Sequence, residues 1–277
     1  MEKWNLPPEK PPFWLDPGVE LITNPPAIAP GAFVILCIES MPDLPGLDIL
    51  KRIDVVANCV VETGWGKYRK GNNLGGWKIT KGAAGPGVPW FRARGNKAPG
   101  ASETDYRGGD PPWCWYRVFA SFEDFFAQWL ARFVPRNAPK GHRYKKCGEE
   151  FWAGKPWFDD LIAAGYKGEN TKANPDRSIA GHEQLSEKCA MVYAQHLLRV
   201  DVDGDFGPKS EAAAKKLLGV PEAEWSGELF GRIVHAVKPG MDLGALSTPL
   251  RAPQEPSSPS HGSPPSSDAS RGEDGTA

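Results

Sequence analysis

The chain has 277 residues, of which 40% are hydrophobic and 24% charged, with a formal net charge of -1. That length admits one or two domains with a real core. The near-neutral balance argues against a generic polyanion binder, because counterion-release binding needs a clear basic excess, so nucleic acid is not an expected partner. The opening "MEKWNLPPEKPPFWLDPG" mixes charge with proline and lacks the continuous apolar core of a secretory leader. The longest apolar run, around "GAFVILCI", falls far short of the ~18 residues a membrane span takes, so membrane insertion is not expected.

Residues 1 to about 30 carry eight prolines and aromatics such as Trp4 and Phe13, and read as an extended arm laid over the body. The main domain is expected over 31–198 and is mainly helical. Pro45 and Gly46 open a helix in which Leu50, Ile53, Val56, Val60 and Val61 recur at helical spacing. The stretch 66–115, rich in glycine, proline and tryptophan, is too long for an ordinary connection and reads as a small strand-bearing lobe facing a cleft. Next comes a well-marked helix: Ser121 with Asp124 resembles a capping box, and Phe122, Phe125, Phe126, Trp129, Leu130 and Phe133 supply a core-facing stripe. Further helices are expected at 157–164 and 182–198. A small second unit follows at 199–240. The Pro/Ser/Gly-rich tail, 246–277, has no large apolar residue after Leu250 and is expected to be disordered. Five cysteines, at 37, 59, 114, 147 and 189, are scattered without C-x-x-C spacing, which favours reduced thiols. No histidine pairs with a cysteine at zinc-ligand spacing, and neither metal nor cofactor is expected.

Chemistry concentrates in "VVETGWGKYRKGNNLGGW", residues 60–77, where an apolar helix delivers Glu62 into a loop of glycines, tryptophans and asparagines. Asn58 lies one helical turn before Glu62 and shares its face. A carboxyl at a helix end, roofed by Trp65, suits a glycosidase general acid, since partial desolvation keeps the proton available for a glycosidic oxygen. Trp77, Trp90 and Trp113 offer flat faces for sugar rings, and Asn72 and Asn73 suit hydroxyl or acetamido groups. The competing reading of the asparagine and glycine pairs is a plain turn.

These residues resemble the signature of bacterial endo-β-N-acetylglucosaminidases of the autolysin and flagellar peptidoglycan-hydrolase type. In that family an apolar helix ends in Glu-(Ser/Thr)-Gly-Trp-Gly and is followed by Asn-Asn-Leu-x-Gly-x-Lys, here Glu62, Thr63, Gly64, Trp65, Gly66, Asn72, Asn73, Leu74, Gly76 and Lys78. "YRVFASFEDFFAQWL" is similar to the family's Phe-Arg-x-Tyr-x-Ser helix, so the likeness covers about 45–190. The resemblance implies a lysozyme-like, mainly α fold (α+β) with a small β-lobe, and cleavage of the β-1,4 bond after N-acetylglucosamine in peptidoglycan. It makes Glu62 the general acid. In "SETDYRGG" it makes Asp105 the second catalytic residue, with Glu103 and Asp110 as neighbours and Tyr106 beside it as a substrate contact. Family members tend to carry Glu there. A carboxyl gap of ~5 Å would suit retention and ~6.5–9.5 Å inversion, and substrate assistance is a third route. Tyr166 in "AAGYKGEN" matches the family's glycine-tyrosine, but the later Asp-Pro-x-Tyr motif is replaced by "NPDR", with Arg177 in the tyrosine slot.

"VDVDGDFGPKSEAAAKKLLGV" resembles the core of a peptidoglycan-binding module, through Asp203, Gly204, Phe206, Gly207, Pro208 and Ser210. A calcium loop built on Asp201, Asp203 and Asp205 fails, because Phe206 stands where an EF-hand needs glycine and Ala212 where it needs glutamate. The basic run "RNAPKGHRYKKC", 136–147, reads either as a solvated loop or as an attractor of wall carboxylates. Two further readings stand beside the hydrolase: a non-catalytic wall-binding or scaffolding protein, supported by Arg177, and a lytic transglycosylase, which lacks the Gly-Trp-Gly and Asn-Asn-Leu pattern. A monomer acting on peptidoglycan in the periplasm or wall, made in the cytoplasm without a leader, implies release by a phage holin or a secretion machine, with an immunity protein as partner in the second case.

Overall fold

The computed structural model describes residues 27–67, 69, 71–77, 90–94, 113–166 and 175–243, the side chains of 90–94, 113–115 and 175–180 excepted. Most of the proline-rich arm, Lys78, Glu103, Asp105, Tyr106, Asp110 and the tail lie outside the described residues, as do the side chains of Trp90, Trp113 and Arg177.

The described chain is mainly helical, as its apolar periodicity predicts. It runs α1 (Pro30–Glu39), α2 (Ile49–Thr63), β1 (Trp90–Arg94), β2 (Trp113–Arg117), α3 (Phe122–Phe133), α4 (Lys145–Trp152), α5 (Phe158–Ala163), α6 (Pro175–Leu198), α7 (Pro208–Leu218) and α8 (Gly227–Val237). The strands form an antiparallel ribbon in which Trp90 faces Arg117 and Arg94 faces Trp113. No helix among the described residues is long and apolar enough to cross a membrane.

Helix α6 is the spine, against which α2, α1 and α8 pack. Helix α2 starts later than expected. Pro45 and Gly46 make a turn, with Gly46 left-handed and the Leu47 N–H bonded to the Leu44 carbonyl at 2.9 Å. The cap is Asp48, whose carboxylate accepts from the Lys51 N–H at 2.9 Å. Ten of the fifteen residues of α2 are buried, among them Ile49, Ile53, Val55, Val56, Ala57, Cys59 and Val60, whereas Val61, expected on the apolar stripe, is 43% exposed. The buried Arg52 guanidinium serves the end of α1, donating to the carbonyls of Met41 (2.8 Å) and Pro42 (3.1 Å) and to the Asp43 carboxylate (2.8 Å).

Helix α3 has the expected Ser121 cap, with Asp124 reaching back one residue further than a capping box requires. Ser121 Oγ accepts from the Asp124 N–H at 3.2 Å, Asp124 Oδ2 accepts from the Ala120 N–H at 3.0 Å, and the six stripe residues are all buried. The helix expected at 182–198 begins seven residues earlier, at Pro175.

The C-terminal helices share the core. Leu229, Phe230, Ile233 and Val234 of α8 belong to the same buried cluster as α1, α2 and α6. The Ile49 N–H reaches the Asp242 carbonyl at 2.9 Å, and Lys238 pairs with Glu39 at 2.7 Å. The Asp-Gly-x-Phe-Gly-Pro turn is held by buried Gln195 of α6. Its Oε1 accepts from the N–H groups of Asp203 (3.2 Å) and Gly204 (2.8 Å), while Nε2 donates to Asp203 Oδ1 (2.6 Å) and the Asp205 carbonyl (3.0 Å). Asp203 is thus engaged by the protein, and among the described residues no group of three or more His, Cys, Asp or Glu is placed to hold a metal. Cys37, Cys59, Cys147 and Cys189 are buried and stand outside any disulfide. Burial pushes Cys147 and Cys189 up to about 12, which keeps them protonated and unreactive.

Candidate active site

Glu62 occupies the last turn of α2, half-buried, and the three residues that turn the chain beyond it are left-handed: Gly64 (φ 55°), Trp65 (φ 59°) and Gly66 (φ 80°). A tryptophan in this region is strained, and its neighbours fix it there. The N–H groups of Gly64 and Trp65 both reach the Val60 carbonyl, the latter at 3.1 Å. Thr63 ties the turn to the helix, its Oγ1 donating to the Cys59 carbonyl (2.7 Å) and accepting from the Gly66 N–H (2.9 Å). Gly66 lies against the Phe33 ring of α1, so close that a Cβ there would sit 2.5 Å from it.

The second wall is the loop 71–77, and its asparagines hold backbone. Buried Asn73 accepts from the Trp77 N–H (2.8 Å) and donates to the carbonyls of Trp77 and Arg117 (2.9 Å each), which pins the loop to β2. Asn72 donates to the carbonyls of Phe119 and Ala120 at 3.0 Å each. These bonds employ both amide hydrogens of each side chain, so sugar recognition by them is confined to whatever their oxygens accept. The two glycines that follow permit close approach. A Cβ on Gly75 would lie 2.8 Å from the Tyr166 hydroxyl, and one on Gly76 would lie 3.6 Å from Glu62 Oε2. The loop backbone therefore passes directly across the glutamate.

Tyr166 joins the two walls. Its hydroxyl accepts from Asn58 Nδ2 (3.0 Å) and Trp129 Nε1 (3.2 Å) and donates to the Gly75 carbonyl (3.4 Å). Burial, and next the charge of Glu62, hold that hydroxyl well above 10, so it stays protonated and keeps donating. Asn58 is fully buried one turn before Glu62, and its Oδ1 has no hydrogen-bond partner among the described residues. Trp77 is half-buried against Phe119 (5.5 Å) and Phe133 (5.4 Å), with the guanidinium groups of Arg117 (5.2 Å) and Arg132 (4.9 Å) over its ring. Trp65 packs against the core, with the Lys188 ammonium of α6 6.0 Å from its ring.

The structure thus brings together Glu62, Asn58, Tyr166, Asn73, Gly76 and Trp77. It adds Trp129, which the sequence reading treats only as core; Asp54, further back on the same helix, lies away from the site, near Ser186 and Trp157. Asp54 lies one turn before Asn58 and two before Glu62 on α2, so the three share one stripe. Burial pushes its carboxyl from the ordinary 3.8 up to about 6, while the neighbouring Ser186 and Trp157 side chains act the other way.

That shift has a testable sign. A folded-state value above the unfolded one means the carboxyl stabilises fully below about 3.8, and that contribution is lost as pH rises through about 6. Asp54→Asn is expected to raise stability by ~1–3 kcal/mol at about pH 8, and the gain should shrink towards zero by about pH 4. Urea denaturation across that range measures it; a pH-independent difference would show that Asp54 does not titrate there.

Comparison with protein-family models, with curated proteins and with solved structures finds no match to this chain.

Proposed function

We propose that the protein is a peptidoglycan hydrolase of the endo-β-N-acetylglucosaminidase type, with Glu62 as general acid. The observation that carries this reading is the approach of the Gly76 backbone to Glu62 Oε2, a Cβ there falling 3.6 Å away, in a loop whose position Asn73 and Tyr166 hold. A carboxyl fixed at a helix end beside a glycine-lined surface can meet a glycosidic oxygen without a side chain intervening. Glu62 gives its proton to the leaving oxygen as the C1–O bond breaks. A water then adds its oxygen to C1 and gives up one proton to a carboxylate, Asp105 as base or the Glu62 carboxylate left by the first step, and N-acetylglucosamine becomes the new reducing end. Asp105 is the proposed partner carboxylate, as base or as stabiliser of the developing positive charge. Asn58 and Tyr166 act as positioning residues, and Trp77, Trp90, Trp113, Tyr106 and Trp65 are the proposed aromatic contacts of the strand.

Digestion of purified peptidoglycan followed by mass analysis of the fragments tests this. Reducing-end N-acetylglucosamine is the expected product. Anhydro-muramic ends would make the protein a lytic transglycosylase. Intact sacculi would favour a wall-binding role, the reading that Arg177 supports.

A further inference from the structure

The basic run 136–147 has no part in the acid site, yet it folds beside it. With the end of α3 it forms a hollow of about 400 Å³ lined by Arg132, Gly141, His142, Arg143 and Tyr144. The hollow is built on a fixed frame. Gly141 is left-handed (φ 87°), the His142 N–H bonds the Pro139 carbonyl at 3.0 Å, and the Lys145 N–H bonds that of His142 at 3.1 Å. Tyr144 is buried, its ring 4.9 Å from Phe133. His142 Nδ1 accepts from the Tyr144 N–H at 3.2 Å, which leaves Nε2 as its donor.

Both arginines lie over aromatic rings. The Arg132 guanidinium lies 4.9 Å from the Trp77 ring centre and that of Arg143 5.6 Å from Tyr144, with Arg143 Nε donating to the Ala164 carbonyl. Ring and carbonyl contacts hold the two guanidinium groups in place, and their remaining N–H groups, those of Arg143 other than Nε, can pair with an anion. Among the described residues no carboxylate forms an ion pair with Arg132 or Arg143. The two arginines connect the hollow to the acid site: Arg132 lies over Trp77, which follows Gly76, the glycine facing Glu62, and Arg143 bonds Ala164, two residues before Tyr166.

We propose that this hollow is an anion subsite of the glycan cleft, taking a carboxylate of the peptide carried on the strand while Glu62 addresses the adjoining glycosidic bond. The proposal rests on the glycan reading above. Arg132 and Arg143 bind the carboxylate, and the Tyr144 ring holds Arg143 in place.

The test uses the full chain with Glu62→Gln, which binds without turning over, and follows binding by calorimetry. The probes are an N-acetylmuramoyl dipeptide with its terminal carboxylate free, the same dipeptide amidated, and neutral chitotriose. The acid is expected to bind about tenfold more tightly than its amide, the loss that follows from removing a charge-assisted pair. Adding Arg132→Gln and Arg143→Gln should abolish that preference, and Arg143→Gln alone, which does not touch Trp77, should weaken it while leaving chitotriose binding within about twofold. Equal affinity for acid and amide overturns the subsite, and that comparison needs no substitution in the hollow. A preference that survives the double substitution overturns the assignment to these arginines. If the unsubstituted chain cleaves no glycan while the acid is still preferred, the glycosidase reading fails and the anion site stands.

Discussion

Glu62→Gln is expected to leave the chain folded, with an unchanged melting temperature, and to lower turnover on peptidoglycan by ~10²-fold or more, the ordinary worth of a general acid. The amide keeps the shape and the neutral form of the protonated acid but has no proton to give. Chitotriose affinity should therefore hold while kcat collapses, since an interaction made only at the transition state is removed. The Tyr166 hydroxyl provides an internal control, because the Glu62 charge contributes to holding it well above 10. Neutralising residue 62 should bring its titration down towards 10, which ultraviolet absorbance follows. Turnover within a few-fold of the parent would place the acid on another residue.

What the sequence discloses of this fold depends on how locally each feature is encoded. Helix α3 is legible because its cap, Ser121 with Asp124, and its aromatic stripe lie within one short segment. Helix α1 is apolar nearly all round and shows no periodicity, so "GAFVILCI" reads as a run without a defined element. The start of α2 misleads because proline and glycine mark a turn as readily as a helix, whereas Asp48 does the capping. At the site, the types and spacing of Glu62, Asn72, Asn73 and Gly76 are visible in sequence, but their partners are not. Asn73 bonds a carbonyl 44 residues away, Asn72 two carbonyls 47 and 48 away, and Asn58 a hydroxyl 108 away. These pairings emerge only when α2, the loop and the end of α5 assemble. An asparagine pair that reads as sugar-binding chemistry thereby serves first to hold a loop, as its turn-forming character also predicts.

The motif glycines give the same lesson in energetic form. Gly66→Ala is expected to destabilise the fold by ~2–5 kcal/mol, from two separate causes. A left-handed conformation at φ 80° costs an alanine ~1–2 kcal/mol, and the new methyl, 2.5 Å from the Phe33 ring, adds ~1–3 kcal/mol of overpacking. Phe33 is fully buried and cannot swing into solvent, so the turn must give way, and with it the bond from the Gly66 N–H to Thr63 Oγ1 that holds the end of α2. Turnover should then fall further than stability alone explains, because Glu62 is next to Thr63. A double-mutant cycle separates the two causes. Phe33→Leu makes room for the methyl, so it should cost less in the Gly66→Ala background than in the parent, by ~1–3 kcal/mol. The backbone share, ~1–2 kcal/mol, should persist in the double variant. Chemical denaturation of the four proteins measures both quantities. Strict additivity would show that Phe33 relaxes freely and that the glycine is required for its backbone angle alone.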